Sequence, residues 1–148
     1  MDKLMWHYTP AYRAPSIVSD GYILPRDTYA FPGAEQLVWF TLNQEREPTA
    51  SSYSATMAVI TQESFQVRFG YPAEMGTPYK QLPLNFTTRR KMEKASRGGH
   101  FLWMAMSGAV SIEHAVIESN RSGKWAPITT EEITSLLEQW GLQNTVIV

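Results

Sequence analysis

The chain has 148 residues, a formal net charge of -1 and 43% hydrophobic residues, a composition typical of one globular domain with its own core. The near-neutral charge argues against strong non-specific binding of nucleic acid by the whole surface. The absence of cysteine excludes disulfides, thiolate metal sites and a cysteine nucleophile.

The sequence has no sign of a membrane or secretion segment. Its N-terminus lacks the apolar core of a signal peptide, and no run approaches the roughly 18 apolar residues of a membrane span. We therefore expect a soluble cytoplasmic protein with no membrane partner.

The N-terminal part predicts a strand, a short helix and a second strand. Residues 4–9 (LMWHYT) form the first strand, and residues 15–21 the helix, because proline favours the first turn and glycine ends it. A short extended segment at 22–24 leads into a loop at 26–35. The unbroken apolar run at 37–41 predicts a strand buried on both faces.

The middle of the chain predicts two further strands, at 56–60 and 65–69. The second of these alternates apolar and polar residues, which places Arg68 on the face opposite the phenylalanines. Glycine and proline in the following residues, 70–84, indicate a loop.

The C-terminal part predicts two helices among short strands. A basic helix at 86–97 ends at Gly98-Gly99, and Thr129 with Glu132 forms a capping box that opens a second helix. Strands are predicted at 101–106, 110–118 and 145–148, with a turn and an edge segment between 119 and 128. This order predicts a single α+β domain, residues 1–148, with mixed or antiparallel sheets.

Common catalytic motifs are missing. His7, His100 and His114 lack metal-ligand spacing, so no metal site is predicted. Gly98-Gly99 is more typical of a helix end than of a phosphate-binding loop. No nucleophile elbow is present.

A basic segment allows two interpretations. Five cations accompany one carboxylate, and they are Arg89, Arg90, Lys91, Lys94 and Arg97. The segment is either a solvated helix face or a contact for an anion, which would be nucleic acid, a dinucleotide phosphate or an acidic partner.

His7 also allows two interpretations. A neutral imidazole offers one donor and one acceptor, so on a cleft wall it can fix a ribose hydroxyl. The alternative is a core histidine with an internal partner.

Three short motifs resemble the H-Y-E branches of the ADP-ribosyltransferase superfamily. They are WHYT (6–9), GYILP (21–25) after a short helix, and VWFT (38–41) after a loop. Rifampicin-modifying transferases, tRNA 2′-phosphotransferases and DNA-targeting toxins of this superfamily share the plan. The resemblance covers residues 4–41 and continues beyond them only in element order. It implies an ADP-ribosyltransferase-like fold of split sheets with a few short helices.

The resemblance also implies NAD as the bound substrate. His7 would bind an NAD ribose, while Thr9 and the backbone of Tyr8 would shape the nicotinamide pocket. Phe40 and Thr41 would lie beneath the nicotinamide.

The remaining catalytic positions are less closely matched. Tyr53 is the nearest candidate for the ring-stacking tyrosine of the family. The acidic residue is Glu113 or Glu118, and Glu113 is chosen because it lies nearer the start of the predicted strand.

The predicted function is NAD-dependent mono-ADP-ribosyl transfer to a macromolecular target, protein or nucleic acid, in a bacterial or phage context. One alternative is a catalytically inactive member of this fold that binds or inhibits a protein partner. Another is a nucleic-acid-directed factor that uses the basic segment 89–97.

Overall fold

The structure, a computed structural model, describes residues 3–25, 36–46, 61 and 63–142. The elements of this part of the chain include nine strands and three α-helices. The strands are β1 (Leu4–Pro10), β2 (Tyr22–Ile23), β3 (Leu37–Thr41), β4 (Gln66–Pro72), β5 (Thr77–Pro78), β6 (Trp103–Ser107), β7 (Val110–Ser111), β8 (Val116–Ser119) and β9 (Ala126–Pro127). The helices are α1 (Ala14–Asp20), α2 (Phe86–Ser96) and α3 (Thr130–Gln139). The predicted α+β class is confirmed. The candidate Tyr53, the predicted strands 56–60 and 145–148 and the predicted loop 26–35 lie outside these residues.

Seven of the strands form one sheet in the order β5-β6-β3-β1-β4-β8-β9, and β2 pairs with β7 in a second sheet. Every pairing between described strands is antiparallel. Of the two predicted alternatives, mixed or antiparallel sheets, the described strands therefore show the antiparallel one.

One face of the large sheet carries the main core. Residues of β1 and β4 alternate, so Met5, Val67 and Phe69 point to this face and are fully buried. The helices α1 and α3 cover it, and α3 contributes Ile133 and Leu136, both 0% exposed. Burial of these side chains is the main force that holds the helices on the sheet.

The opposite face is covered in part by α2. A second buried cluster lies there, built from Tyr79, Leu82, Leu84, Met92, Trp103 and Ala105. Leu37 and Trp39 of β3 pack against this cluster. Strand β3 therefore has apolar neighbours on both faces, as its unbroken apolar run predicts.

The helix ends follow local chemistry. The predicted capping box is confirmed: Thr129 accepts from the Glu132 amide at 3.1 Å, and Glu132 accepts from the Thr129 amide at 3.2 Å. The side chain of Asn85 caps α2 by accepting from the amide of Thr88 at 2.8 Å. The last turn of α2 closes on Arg97, which has a φ of 51°, one residue before the predicted glycine pair.

The predicted continuous strand 110–118 is wrong. The chain turns at residues 112–115, so β7 pairs with β2 in the small sheet and β8 pairs with β4 in the large one. One segment of mixed apolar and polar residues can supply strands to two different sheets, and the residue types alone do not reveal where it divides.

Trp6 lies directly over a glycine of the neighbouring strand. Gly70 is opposite Trp6 in the β1–β4 ladder, and a Cβ at Gly70 would lie 2.6 Å from Trp6 Cζ3. Only a residue without a side chain allows this close approach.

Candidate functional site

The large sheet divides between β1 and β3. These two strands share a single residue pair, Trp6 with Thr41, whereas β1 pairs with β4 along its length and β3 with β6 along its length. Beyond the Trp6–Thr41 pair, β1 continues through His7 while β3 lies on the other side through Trp39. The gap between the strands at this point is the candidate site.

His7 bridges this gap with its side chain. Its Nδ1 lies 2.8 Å from the carbonyl oxygen of Trp39. Because a carbonyl only accepts hydrogen bonds, Nδ1 is the donor, and Nε2 is the acceptor of the neutral ring. The contact fixes the tautomer and the direction of the ring.

Two buried aromatic rings of the main core lie beside His7. The Phe40 and His7 rings meet in a T-shaped arrangement with 5.8 Å between their centroids, and Tyr71 lies 5.4 Å from Phe40 at 80°. The Tyr71 hydroxyl donates to the carbonyl of Ser111 at 3.0 Å and so ties the large sheet to the small one. Burial raises the pKa of Tyr71 to about 12, so the hydroxyl remains a donor at physiological pH.

The other residues implicated in NAD binding separate between the two faces. Thr9 is buried and shares the face of His7, since it lies two residues further along the strand. The Tyr8 hydroxyl donates to the carbonyl of Asn43 at 2.7 Å on the opposite face. Thr41 Oγ1 accepts from the Asn43 amide at 3.1 Å. The structure thus groups His7, Phe40 and Thr9, and it turns the Tyr8 ring and the Thr41 hydroxyl away from them.

The two candidate carboxylates have very different surroundings. Glu113 is exposed in the turn between β7 and β8, and its amide donates to Ser111 Oγ at 3.2 Å. No side chain in the described ranges bonds its carboxylate. Glu118 on β8 accepts from Arg68 Nη2 at 2.6 Å and from Arg68 Nε at 2.9 Å. Glu118 is therefore engaged in an internal ion pair.

Glu113 and His7 make no direct contact in the described structure, but a series of contacts connects them. His7 meets Phe40, Phe40 meets Tyr71, and Tyr71 bonds the Ser111 carbonyl. Ser111 in turn accepts from the amide of Glu113. The turn that carries Glu113 is thus attached to the rings beside His7.

The sequence did not predict the arrangement around Arg68. Its guanidinium carbon lies 3.9 Å from a Trp6 ring centroid and 4.2 Å from one of Trp125, and Nη1 donates to the Tyr8 hydroxyl at 3.2 Å. Arg68 is 7% exposed. Strand alternation identifies its face, but Trp125 comes from a distant turn that no local pattern places there.

The basic segment divides into one internal cation and four exposed ones. Arg89 donates to the carbonyls of Tyr79, Leu82 and Leu84 and lies over the Tyr79 ring. The exposed cations are Arg90, Lys91, Lys94 and Arg97. Arg89 therefore supports the fold and fits neither interpretation. The other four cations face solvent, which is compatible with both interpretations.

Two further features are absent from the described ranges. No group of three or more histidine, aspartate or glutamate side chains there could hold a metal ion. None of the helices described is both long and apolar enough to cross a membrane.

Comparisons with known proteins identify no relative. No family model, no curated protein and no solved structure matches this chain. Support for a function therefore comes from the site geometry and from the motifs in residues 4–41.

Proposed function

We propose that NAD binds where β1 and β3 part and that the chain is a mono-ADP-ribosyltransferase acting on a macromolecular target. The observation that carries this proposal is the His7 ring, anchored through Nδ1 to the Trp39 carbonyl with Phe40 at its edge. An imidazole held in one tautomer beside an aromatic ring is suited to a ribose next to a flat ring.

The proposed binding mode uses the chemistry of these side chains. The His7 ring hydrogen-bonds a ribose hydroxyl. Phe40 provides apolar surface for the nicotinamide, and Thr9 shapes the inner end of the pocket. The pocket in this proposal is mostly apolar with few polar groups, which is typical of small-molecule sites.

Glu113 is the proposed catalytic carboxylate. Its oxygens accept from a ribose hydroxyl and stabilise the positive charge that develops on the ribose as nicotinamide leaves. The bond between C1′ and the nicotinamide nitrogen breaks, and its electron pair leaves with nicotinamide. A nucleophile of the target then bonds to C1′ and loses its proton. Glu118 is not assigned this role, because Arg68 holds its carboxylate.

The first arm of the test measures NAD binding by calorimetry for the wild type, His7→Ala and the control His100→Ala. We expect His7→Ala to weaken NAD binding by about tenfold, which is the value of one hydrogen bond in a pocket. His100 lies beside α2, and its alanine variant is expected to bind like the wild type. His7→Gln, with an amide that can still donate to Trp39, is a second variant if alanine impairs folding.

The second arm measures nicotinamide release, with water as the nucleophile that bonds to C1′ in place of the target. Glu113→Gln is expected to keep NAD affinity and to lose release by about a hundredfold or more. Glu138→Gln, a change at an exposed carboxylate of α3, is the matched control. Lack of NAD binding by the wild type at millimolar concentration, or wild-type affinity in His7→Ala, would refute the proposal. Binding without any release would instead identify a catalytically inactive binding protein.

A further inference from the structure

Positive charge is concentrated in one short part of this chain. Residues 86–102 contain five cations and one carboxylate, a net charge of +4. The rest of the chain contains eight cations and thirteen carboxylates, a net charge of -5. The α2 helix and the turn after it therefore form a positive region on an otherwise acidic protein.

Within α2, the cations other than Arg89 face away from the sheet. Thr88, Met92 and Ser96 are buried and lie four residues apart, so they form the inner stripe of the helix. On the opposite side of the helix, Phe86, Arg90, Lys91 and Lys94 are exposed. Arg97 caps the helix and Phe101 lies in the short 3-10 helix that follows, and both are also exposed. We call these six exposed residues the α2 surface.

Two large aromatic rings are exposed at the ends of the α2 surface. Phe86 is 73% exposed and Phe101 is 82% exposed. The Arg90 guanidinium lies 5.6 Å from the Phe86 ring centroid. The His100 ring lies 4.2 Å from that of Phe101 at 32°, and Ser96 holds His100 through a 2.8 Å contact. Each ring thus has a neighbour within the described residues and leaves most of its surface exposed.

We propose that the α2 surface binds single-stranded nucleic acid, with its cations on phosphates and its two phenylalanines stacked on bases. This inference rests on the proposed function in one respect, since it names the class of macromolecule that the transferase would modify. Cations flanked by exposed rings favour a ligand that has both phosphates and open base faces. An acidic protein would need the cations but not the rings, and a duplex hides its base faces.

The α2 surface is also structurally connected to the candidate site. The Trp39 carbonyl accepts from His7, while the Trp39 ring packs 6.4 Å from Tyr79 and 5.8 Å from Trp103. The Tyr79 hydroxyl then donates to Glu93 of α2 at 3.1 Å. The helix is therefore connected through Tyr79 to the residue that anchors His7.

The test uses the full chain and fluorescence anisotropy with a labelled oligothymidylate about a dozen nucleotides long. Four phosphate contacts predict that the logarithm of affinity falls with the logarithm of salt concentration with a slope of about -3. Arg90→Glu with Lys94→Glu is expected to weaken binding more than tenfold. The matched control is Lys3→Glu with Lys124→Glu, which changes two exposed cations elsewhere and is expected to retain most of the affinity.

A second arm tests the rings. Phe86→Ala with Phe101→Ala is expected to weaken binding about tenfold or more, since each stacked base contributes substantially to affinity. Tyr22→Ala, at an exposed aromatic residue of β2, is the matched control and is expected to bind like the wild type. Polyglutamate is expected to compete poorly. The proposal is overturned if polyglutamate competes as well as unlabelled oligonucleotide and the phenylalanine variant binds normally, a result that would assign the surface to an acidic protein.

The two proposals fail in different ways. His7→Ala is expected to bind the oligonucleotide like the wild type while its NAD affinity falls. Oligonucleotide binding without NAD binding refutes the transferase proposal and leaves the nucleic-acid surface. NAD binding without oligonucleotide binding refutes the nucleic-acid surface alone.

Discussion

Arg68 joins several elements of the fold through one side chain. It stacks between Trp6 of β1 and Trp125 of the β8–β9 turn, and it pairs with Glu118 of β8. A guanidinium suits this position because it is planar and can stack while its edges donate hydrogen bonds. Removal of this side chain leaves a partly buried carboxylate and two rings without their contact.

We therefore expect Arg68→Ala to lower the free energy of unfolding by about 3–5 kcal/mol. Chemical denaturation measures the change. Arg121→Ala is the matched control, because Arg121 forms an ion pair with Glu63 but its side chain is 40% exposed, and an exposed pair contributes less than about 1 kcal/mol. Equal losses in the two variants would contradict the central role of Arg68.

At the residue scale, the sequence predicted candidates but not their partners. WHYT indicated a strand histidine that either binds a ligand or has an internal partner, and the structure shows an internal contact to the Trp39 carbonyl, 32 positions along the chain. Whether His7 also binds a ligand depends on its affinity for NAD, which the calorimetry measures. The stacking of Arg68 on Trp125 depends on tertiary folding that no local pattern encodes.

At the scale of helices and strands, local sequence patterns again predicted what depends on nearby residues and not what depends on tertiary pairing. Helices α1, α2 and α3 were predictable because proline, glycine and capping residues act within a few positions of each other. The run 110–118 was not, because its division depends on which sheet each half joins. Pairing with β2 and β4 overrides the local preference for one continuous strand.

Arg97, at the end of α2, has a backbone conformation that is unfavourable for a residue with a side chain. Arg97 has a φ of 51° and a ψ of 42°, a left-handed conformation that glycine adopts at little cost. We expect Arg97→Gly to raise the free energy of unfolding by about 1 kcal/mol.

Thermal denaturation with oligonucleotide titration measures both consequences of this change. If the α2 surface binds nucleic acid, the same variant is expected to lose affinity and about 0.7 of the salt slope, because one phosphate contact is gone. Lys124→Gly, at an exposed position in the β8–β9 turn, serves as the control for affinity. If the variant is more stable and binds the oligonucleotide normally, Arg97 is not part of the nucleic-acid-binding surface.

At the scale of the whole molecule, Tyr71 links the two sheets. Its ring lies in the main core, and its hydroxyl donates to Ser111 of the small sheet. Burial raises its pKa from 10.0 to about 12, and the pKa of Tyr79 is also raised, first by burial and then by Glu93. Both tyrosines therefore hold their protons to higher pH in the folded protein than in the unfolded chain.

Stability is accordingly expected to fall as pH rises from 10 towards 12. The unfolded chain binds fewer protons in this range, and Tyr71 contributes a loss of up to about 1.4 kcal/mol per pH unit. Tyr71→Phe is expected to remove that contribution, while Tyr22→Phe at an exposed site keeps the wild-type slope. Denaturation curves at several pH values measure it, and an unchanged slope in Tyr71→Phe would contradict the assignment.

The close approach of Trp6 to Gly70 also constrains how this sequence can diverge. A side chain at position 70 would collide with an indole on which the Arg68 guanidinium also stacks. We therefore expect Gly70 to be replaced only after the tryptophan has given way to a smaller residue. Descendants of this chain that carry a larger residue at position 70 are expected to have lost the tryptophan first, and with it the stack on Arg68.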